Sequence, residues 1–221
     1  MARMPDRITP KQFHEADGVD DWRVIGEGAC TVFRTGTLAV GAQLAEAISA
    51  LPALDAHHPD LDLRHDGVTV RLITVGPDGP GLSTRDLALA REISAVARTL
   101  EIPADPSGVQ TVQVAVDALD IPAVLPFWRA VLGYDVRGGT DLLDPRGRGA
   151  PFWFQQMDAP RPQRNRIHID VYVPHDQAQA RIAAALAAGG RLVTEEWAPE
   201  WWTLSDPEGN EVDIATTHTR G

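Results

Sequence analysis

Residues 57–75 read HHPDLDLRHDGVTVRLITV, and the way this stretch pairs with itself decides the fold of the first half of the chain. Two runs of alternating apolar residues flank Asp66-Gly67, and a two-residue turn of this kind needs a positive φ, which glycine supplies without steric cost. With Asp66 and Gly67 as the loop, His65 faces Val68, Leu63 faces Val70 and Leu61 faces Leu72, which gives one apolar face. The other face sets Arg64 against Thr69, Asp62 against Arg71, Asp60 against Ile73 and His58 against Val75. An opposite-charge pair directly across the ladder supports that register.

Outward from the hairpin, the flanking segments read as helices and short strands. Thr9 precedes Pro10, and Gln12 follows the threonine by three residues; this capping box, with proline at the first helical position, predicts a helix over 10–17. Trp22 to Arg34 is rich in Val, Thr and Phe around glycines and reads as a hairpin or two short strands. Leu38 to Leu51 carries Leu44, Ile48 and Leu51 on one face, and Ser83 to Leu100 carries Leu89, Ile93, Val96 and Leu100, so both are predicted helices. Ser83 is a suitable N-cap, and Asp86 lies in the first turn after it.

Glu101 to Gly108 contains two prolines, an aspartate and Ser-Gly, the composition of a linker. Beyond it one pattern occurs twice. Strand 109–116, helix 122–132 and strands through Asp158 form one unit; strand 166–173, helix 176–188 and strands through Ala215 form the next. This is an internal duplication. The expected plan is α+β throughout: a domain at 1–100, a linker at 101–108 and a domain at 109–221.

Bulk properties narrow the function. A length of 221 residues suits two domains of common size. No apolar run reaches the roughly 20 residues that cross a bilayer, and Met1 to Arg7 carries no apolar core of a signal peptide. Cys30 is the lone cysteine, so no intrachain disulfide and no thiolate cluster can form; a reducing cytoplasm is the expected location. The net charge of −11 argues against direct nucleic-acid binding, which depends on neutralising phosphates with Lys and Arg.

Chemistry concentrates at His57-His58-Pro59. Histidine gives or takes a proton near neutral pH, so two in one loop can act as acid and base. The order of elements around them, with Trp22 in the early strands and Gly81-Leu82-Ser83 leading to Asp86 at a helix start, resembles the pterin-4a-carbinolamine dehydratases over residues 8–100. The resemblance implies an antiparallel sheet with helices on one face, no cofactor, and elimination of water from a 4a-hydroxytetrahydropterin. It implies His57 and His58 as catalytic residues, and Pro59, Thr74, Val75 and Asp86 as substrate-binding positions. Val75 stands where that family has a third histidine, and valine transfers no protons.

The second half resembles the glyoxalase and bleomycin-resistance family, built of paired βαβββ modules. Phe127-Trp128 through Leu132-Gly133-Tyr134 and Asp206-Pro207-Glu208-Gly209-Asn210 carry the likeness. It implies a single divalent metal, Ni, Mn, Fe or Zn, held by Gln110 on the first strand, His168 on the first strand of the second module and Asp213 on the last strand. Strand Phe152 to Gln156 offers Gln155 and Gln156, but no carboxylate, for the fourth position. Trp153, Trp201 and Trp202 line either an aromatic cup or the core.

Three functions remain open on the sequence: a dehydratase with an accessory second domain, a metal-dependent glyoxalase-type lyase, isomerase or dioxygenase, and a non-catalytic pterin or small-ligand binder. Both resemblances imply a homodimer or homotetramer.

Overall fold

The computed structural model describes residues 7–26, 28–55, 57–76, 79–160 and 169–216. The chain divides into two compact units, Met1–Thr111 and Val112–Gly221.

The first unit begins with β1 (Arg7–Ile8) and α1 (Pro10–His14), whose predicted capping box is present: the Thr9 amide donates to Gln12 Oε1 at 2.8 Å and the Gln12 amide to Thr9 Oγ1 at 3.2 Å. There follow β2 (Arg23–Ile25), β3 (Gly28–Arg34), α2 (Leu38–Ser49), a 3-10 turn (Pro52–Asp55), β4 (Asp60–Leu63), β5 (Gly67–Leu72), β6 (Thr74–Gly76), β7 (Gly79–Ser83) and α3 (Thr84–Thr99). They form an antiparallel sheet in the order β2-β3-β5-β4 and a smaller one in the order β1-β7-β6. Leu44 and Ile48 of α2 and Leu89 and Ile93 of α3 close over Phe33, Val68, Val70 and Leu72, all fully or almost fully buried. The helices therefore cover one sheet face, and their apolar stripes supply the driving force for the packing.

The hairpin forms, with a different register from the one predicted. Asp60 faces Arg71, Leu61 faces Val70, Asp62 faces Thr69 and Leu63 faces Val68, so His65 and Asp66 are the loop. Each partner moves by two positions, which leaves every side chain on its expected face because the strand period is two. The cross-strand ion pair is Asp60 with Arg71, whose Nη2 lies 2.7 Å from Asp60 Oδ2. Gly67 has no positive φ. A Cβ there would lie 3.2 Å from the Phe33 carbonyl oxygen, so glycine serves close strand approach rather than the turn. Ile73 separates β5 from β6, and Val75 accordingly faces Pro80 across the β6–β7 ladder rather than His58.

Residues 101–108 pack as part of the first unit. Ala104 bridges Phe33, the Arg34 amide donates to the Pro103 carbonyl at 2.9 Å, and the Asp105 amide donates to the Val32 carbonyl at 2.7 Å. Arg34 also pairs with Asp105. Because β2 covers only Gly28 to Cys30 of β3, this segment occupies the half-edge that β2 leaves open.

The second unit repeats one module. β8 (Val114–Ala118), α4 (Ile121–Leu132), β9 (Asp135–Arg137), β10 (Asp141–Leu143) and β11 (Phe152–Gln156) form the first copy. β12 (Ile169–Tyr172), α5 (Ala178–Ala187), β13 (Arg191–Thr194), β14 (Trp201–Ser205) and β15 (Glu211–Ala215) form the second. The sheet orders, β8-β11-β10-β9 and β12-β15-β14-β13, are the same permutation; in each, the first strand pairs in parallel with the last. Phe127, Trp128 and Val131 of α4 meet Ile182 and Ala185 of α5 in one shared core. The Asp206 turn locks onto it: Trp128 Nε1 donates to Asp206 Oδ2 at 3.0 Å, and the Glu208 and Asn210 amides donate to Oδ1 at 2.9 Å each.

Candidate functional site

Three elements distant in sequence meet in the first unit. The segment after the 3-10 turn delivers His57, β6 delivers Thr74, and the start of α3 delivers Ser83 and Asp86. His57 Nε2 lies 2.6 Å from Asp86 Oδ1. Asp86 Oδ2 accepts from the Ser83 amide at 2.7 Å, from Ser83 Oγ at 2.8 Å and from Thr74 Oγ1 at 2.7 Å. The aspartate is fully buried and the imidazole is 12% exposed.

A buried carboxylate without partners would take up a proton. Burial does push Asp86 upward, but hydrogen bonds from His57, then Thr74 and Ser83, and the charge of His57, outweigh it and hold the carboxyl below its ordinary value. Asp86 is therefore an ionised acceptor, and His57 Nε2 carries the hydrogen between them. That fixes the imidazole in one tautomer and one orientation, with Nδ1 as the ring nitrogen not engaged by Asp86. Next to it, His58 is exposed, and Pro59 biases its backbone toward the extended region.

In the second unit, alternation along β14 sends neighbouring tryptophans to opposite faces. Trp202 faces Ile214 and is 7% exposed within the core, while Trp201 faces Ala215 on the other side and stacks on Trp197, with ring centroids 5.3 Å apart. Asp213 shares the Trp201 face and accepts from Thr203 Oγ1 at 2.6 Å.

Residues 6–96 match the family model described as pterin 4 alpha carbinolamine dehydratase, and residues 113–215 match the one described as glyoxalase-like domain. The chain joins a domain of each family. No curated protein matches the sequence. Among solved structures it is similar to a glyoxalase-related enzyme from Fulvimarina pelagi, with 17% identity over 49% of this chain and 88% of that one and a TM-score of 0.39. It is similar also to the fosfomycin resistance protein FosX from Mesorhizobium loti, at 8% identity over 48% and 90% of the two chains with a TM-score of 0.38. A possible glyoxalase from Bacillus cereus shows 13% identity over 49% and 99%, with a TM-score of 0.36.

Within the dehydratase-family domain, the residues singled out from sequence separate into two groups. His57, Thr74 and Asp86 form one hydrogen-bonded cluster, joined by Ser83, which sequence reasoning treated as a helix cap alone. The Ser83–Asp86 spacing of a capping box was the available signal. Val75 is 64% exposed and, one residue from Thr74 on the same strand, projects to the opposite face. Thr74 serves the carboxylate directly.

Of the metal set expected in the glyoxalase-like domain, Asp213 lies on β15 as expected, and Gln110 does not lie on the first strand. Gln110 is exposed, falls in the first unit, and precedes β8 by four residues instead of lying on it; the strand starts only where the Val114 amide finds the Pro151 carbonyl. His168 lies outside the described residues. Gln156 donates its amide to the carbonyls of Leu119 and Met157, and Gln155 is exposed. Among the described residues no group of three His, Cys, Asp or Glu side chains is placed to hold a metal ion. Of the expected tryptophans, Trp202 is core, and Trp197 was overlooked because it lies between strands. Among the described residues no helix is long and apolar enough to cross a membrane.

Proposed function

We propose that the dehydratase-family domain eliminates water from a 4a-hydroxytetrahydropterin, with the glyoxalase-like domain as an accessory. The observation that carries this reading is the buried Asp86–His57 pair, 2.6 Å apart, beside a second histidine in the same loop. The reaction breaks the C4a–O bond and the N5–H bond, forms the C4a=N5 double bond and releases water. It needs a base at N5 and an acid at the 4a-hydroxyl, within reach of one ring.

His57 is the base. Its Nδ1 takes the N5 proton, and the ionised Asp86 behind Nε2 stabilises the imidazolium as it forms, much as a buried carboxylate orients and stabilises the histidine of a hydrolase triad. His58 is the acid and gives its proton to the departing hydroxyl. The exposed His58 regains its proton from solvent and His57 gives up the one it took, so no net charge accumulates over a turnover.

The test is direct. The purified chain is expected to speed dehydration of a 4a-hydroxytetrahydropterin formed in situ, and His57→Ala to remove most of that gain, on the order of 10²–10⁴-fold. Equal rates with and without protein overturn the reading; tight binding of a reduced pterin without turnover leaves a ligand-binding domain in its place.

A further inference from the structure

Thr74 of β6 stands opposite Gly81 of β7, and Ser83 lies two residues further along β7. Cross-strand partners share a sheet face, and so do residues two apart on one strand. Thr74 and Ser83 are therefore diagonal neighbours on one face, and glycine at 81 puts no side chain between them. Their hydroxyl oxygens lie 2.8 Å apart. The chain enters α3 directly after Ser83, and the first turn of that helix brings Asp86 back to the pair. There Oδ2 accepts from Thr74 Oγ1 at 2.7 Å and from Ser83 Oγ at 2.8 Å.

Three oxygens thus lie in mutual contact and share two hydroxyl hydrogens. Each hydroxyl has one hydrogen to give, so the three contacts cannot all be hydrogen bonds at once. Either both hydroxyls serve the carboxylate, or one serves the other and a single one serves Oδ2. The Ser83 amide stays on Oδ2 in every arrangement, at 2.7 Å, so Oδ2 has three donors or two. That number decides how much negative charge is left at Oδ1 for His57 Nε2, 2.6 Å away. Ser83 and Asp86 are fully buried, and in so dry a place a withdrawn donor is not made up by bulk water. Burial raises the Asp86 carboxyl, and the bonds from His57, Thr74 and Ser83 outweigh it.

We infer that Thr74 and Ser83 are positioning residues for the base: their hydroxyl hydrogens turn between the carboxylate and each other, and so adjust the pull of Asp86 on His57. While His57 is neutral the carboxylate charge is unmet, and both hydroxyls turn to Oδ2. Once the imidazolium forms, that charge is met at Oδ1 and one hydroxyl turns to the other. The change is a rotation about a C–O bond and moves no heavy atom. Thr74 therefore acts through Asp86 and not on the ring of the substrate. The inference rests on the dehydratase reading for the proton that His57 takes, and on the hydrogen bonds alone for the coupling.

The experiment reads the proton resonance of His57 Nε2–H in the full chain and the pH profile of kcat/KM for dehydration. Thr74→Val removes one donor at nearly constant shape. The stronger acceptor that remains at Oδ1 is expected to move the Nε2–H resonance downfield. It is also expected to move the acidic limb of the profile to higher pH, by roughly half a pH unit, a share of what two or three such bonds do to a carboxylate. Thr74→Ser is expected to leave both where the wild type has them, and Thr74→Val with Ser83→Ala to move both further. Arg7 opposite Ser83, Arg85 beside Asp86 in α3, Asp55 in the 3-10 turn and His58 beside His57 are charged or titratable neighbours in the fold or the chain. They are the same in every variant. Circular dichroism checks folding, and Ser83→Ala alone carries the same test if Thr74→Val does not fold. A folded Thr74→Val that loses rate with the resonance and the limb unmoved has a structural role only and overturns the inference. So does a Thr74→Ser that behaves as Thr74→Val does. Resonances that shift with no turnover in any chain reject water elimination and leave the coupling standing, whereas turnover with an unmoved limb rejects the coupling alone.

Discussion

Replacing Asp86 by asparagine isolates the chemistry of the pair from its shape. The carboxylate accepts on both oxygens: His57 Nε2 on Oδ1, and the Ser83 amide, Ser83 Oγ and Thr74 Oγ1 on Oδ2. Asparagine offers one oxygen and one NH2. The Ser83 amide is a backbone donor that cannot reverse, so the side-chain oxygen must stay beside it and the NH2 must face His57. Nε2 then has to accept, and the ring hydrogen moves to Nδ1, where the base lone pair is needed. One isosteric change thereby inverts the donor and acceptor ends of the imidazole and removes the charge that stabilises the imidazolium. The expected loss in kcat is on the order of 10²–10⁴-fold, the range that a positioned acid or base supplies. Stability falls as well, by roughly 1.5–3 kcal/mol, because the bonds that remain are no longer charge-assisted. Stopped-flow dehydration gives the rate, urea unfolding gives the stability, and nitrogen-15 shifts of His57 report which ring nitrogen bears hydrogen. A variant that keeps its fold and retains a rate within about threefold of wild type, less than 1 kcal/mol of barrier, would refute the assignment of His57 as the base.

Acid should unfold the first unit partly through the same carboxylate. Its folded pKa lies below the usual value, so its stabilisation is complete above the unfolded pKa of about 3.9 and is lost as pH falls through the folded value; the fall in urea midpoint below about pH 4 should be shallower in Asp86→Asn, and equal slopes would remove Asp86 as a contributor. Thr31 is fully buried on β3 and its Oγ1 has no hydrogen-bond partner among the described residues, a desolvation penalty of roughly 1–3 kcal/mol. Thr31→Val should therefore raise the urea midpoint without changing the slope, and a lower midpoint would show that the hydroxyl is satisfied.

The fold was legible wherever a local rule and the core agreed. The capping box at Thr9, the helix stripes of Leu44 and Leu89, and the repeated modules follow from spacing alone. The hairpin shows the boundary of that logic. Alternation determines which face Leu61 and Leu63 take, yet registers differing by two positions satisfy it equally. Asp-Gly argued for one register, and packing of Gly67 against the Phe33 carbonyl selected the other. The site divided along the same line. His57 and Asp86 were visible as residue types, but their pairing across 29 positions depends on the break at Ile73, which sends the chain into a second hairpin and brings Thr74 to the carboxylate. No periodicity marks that break. Gln110 fell off its strand for a related reason: it was placed by where a strand was expected to begin, and strand ends are the least determined feature of a sequence pattern.

The short stretch that completes the edge of β3 belongs to the first half of the chain and is structural there. A chain cut after Leu100 would leave the Arg34 amide and the Val32 carbonyl facing water, a bare template onto which a strand from another molecule can zip. Cutting after Gly108 keeps that seam shut. The proline-rich composition that marks residues 101–108 as spacer suits an edge strand equally well, since proline at an outer position offers no hydrogen for a further strand to capture.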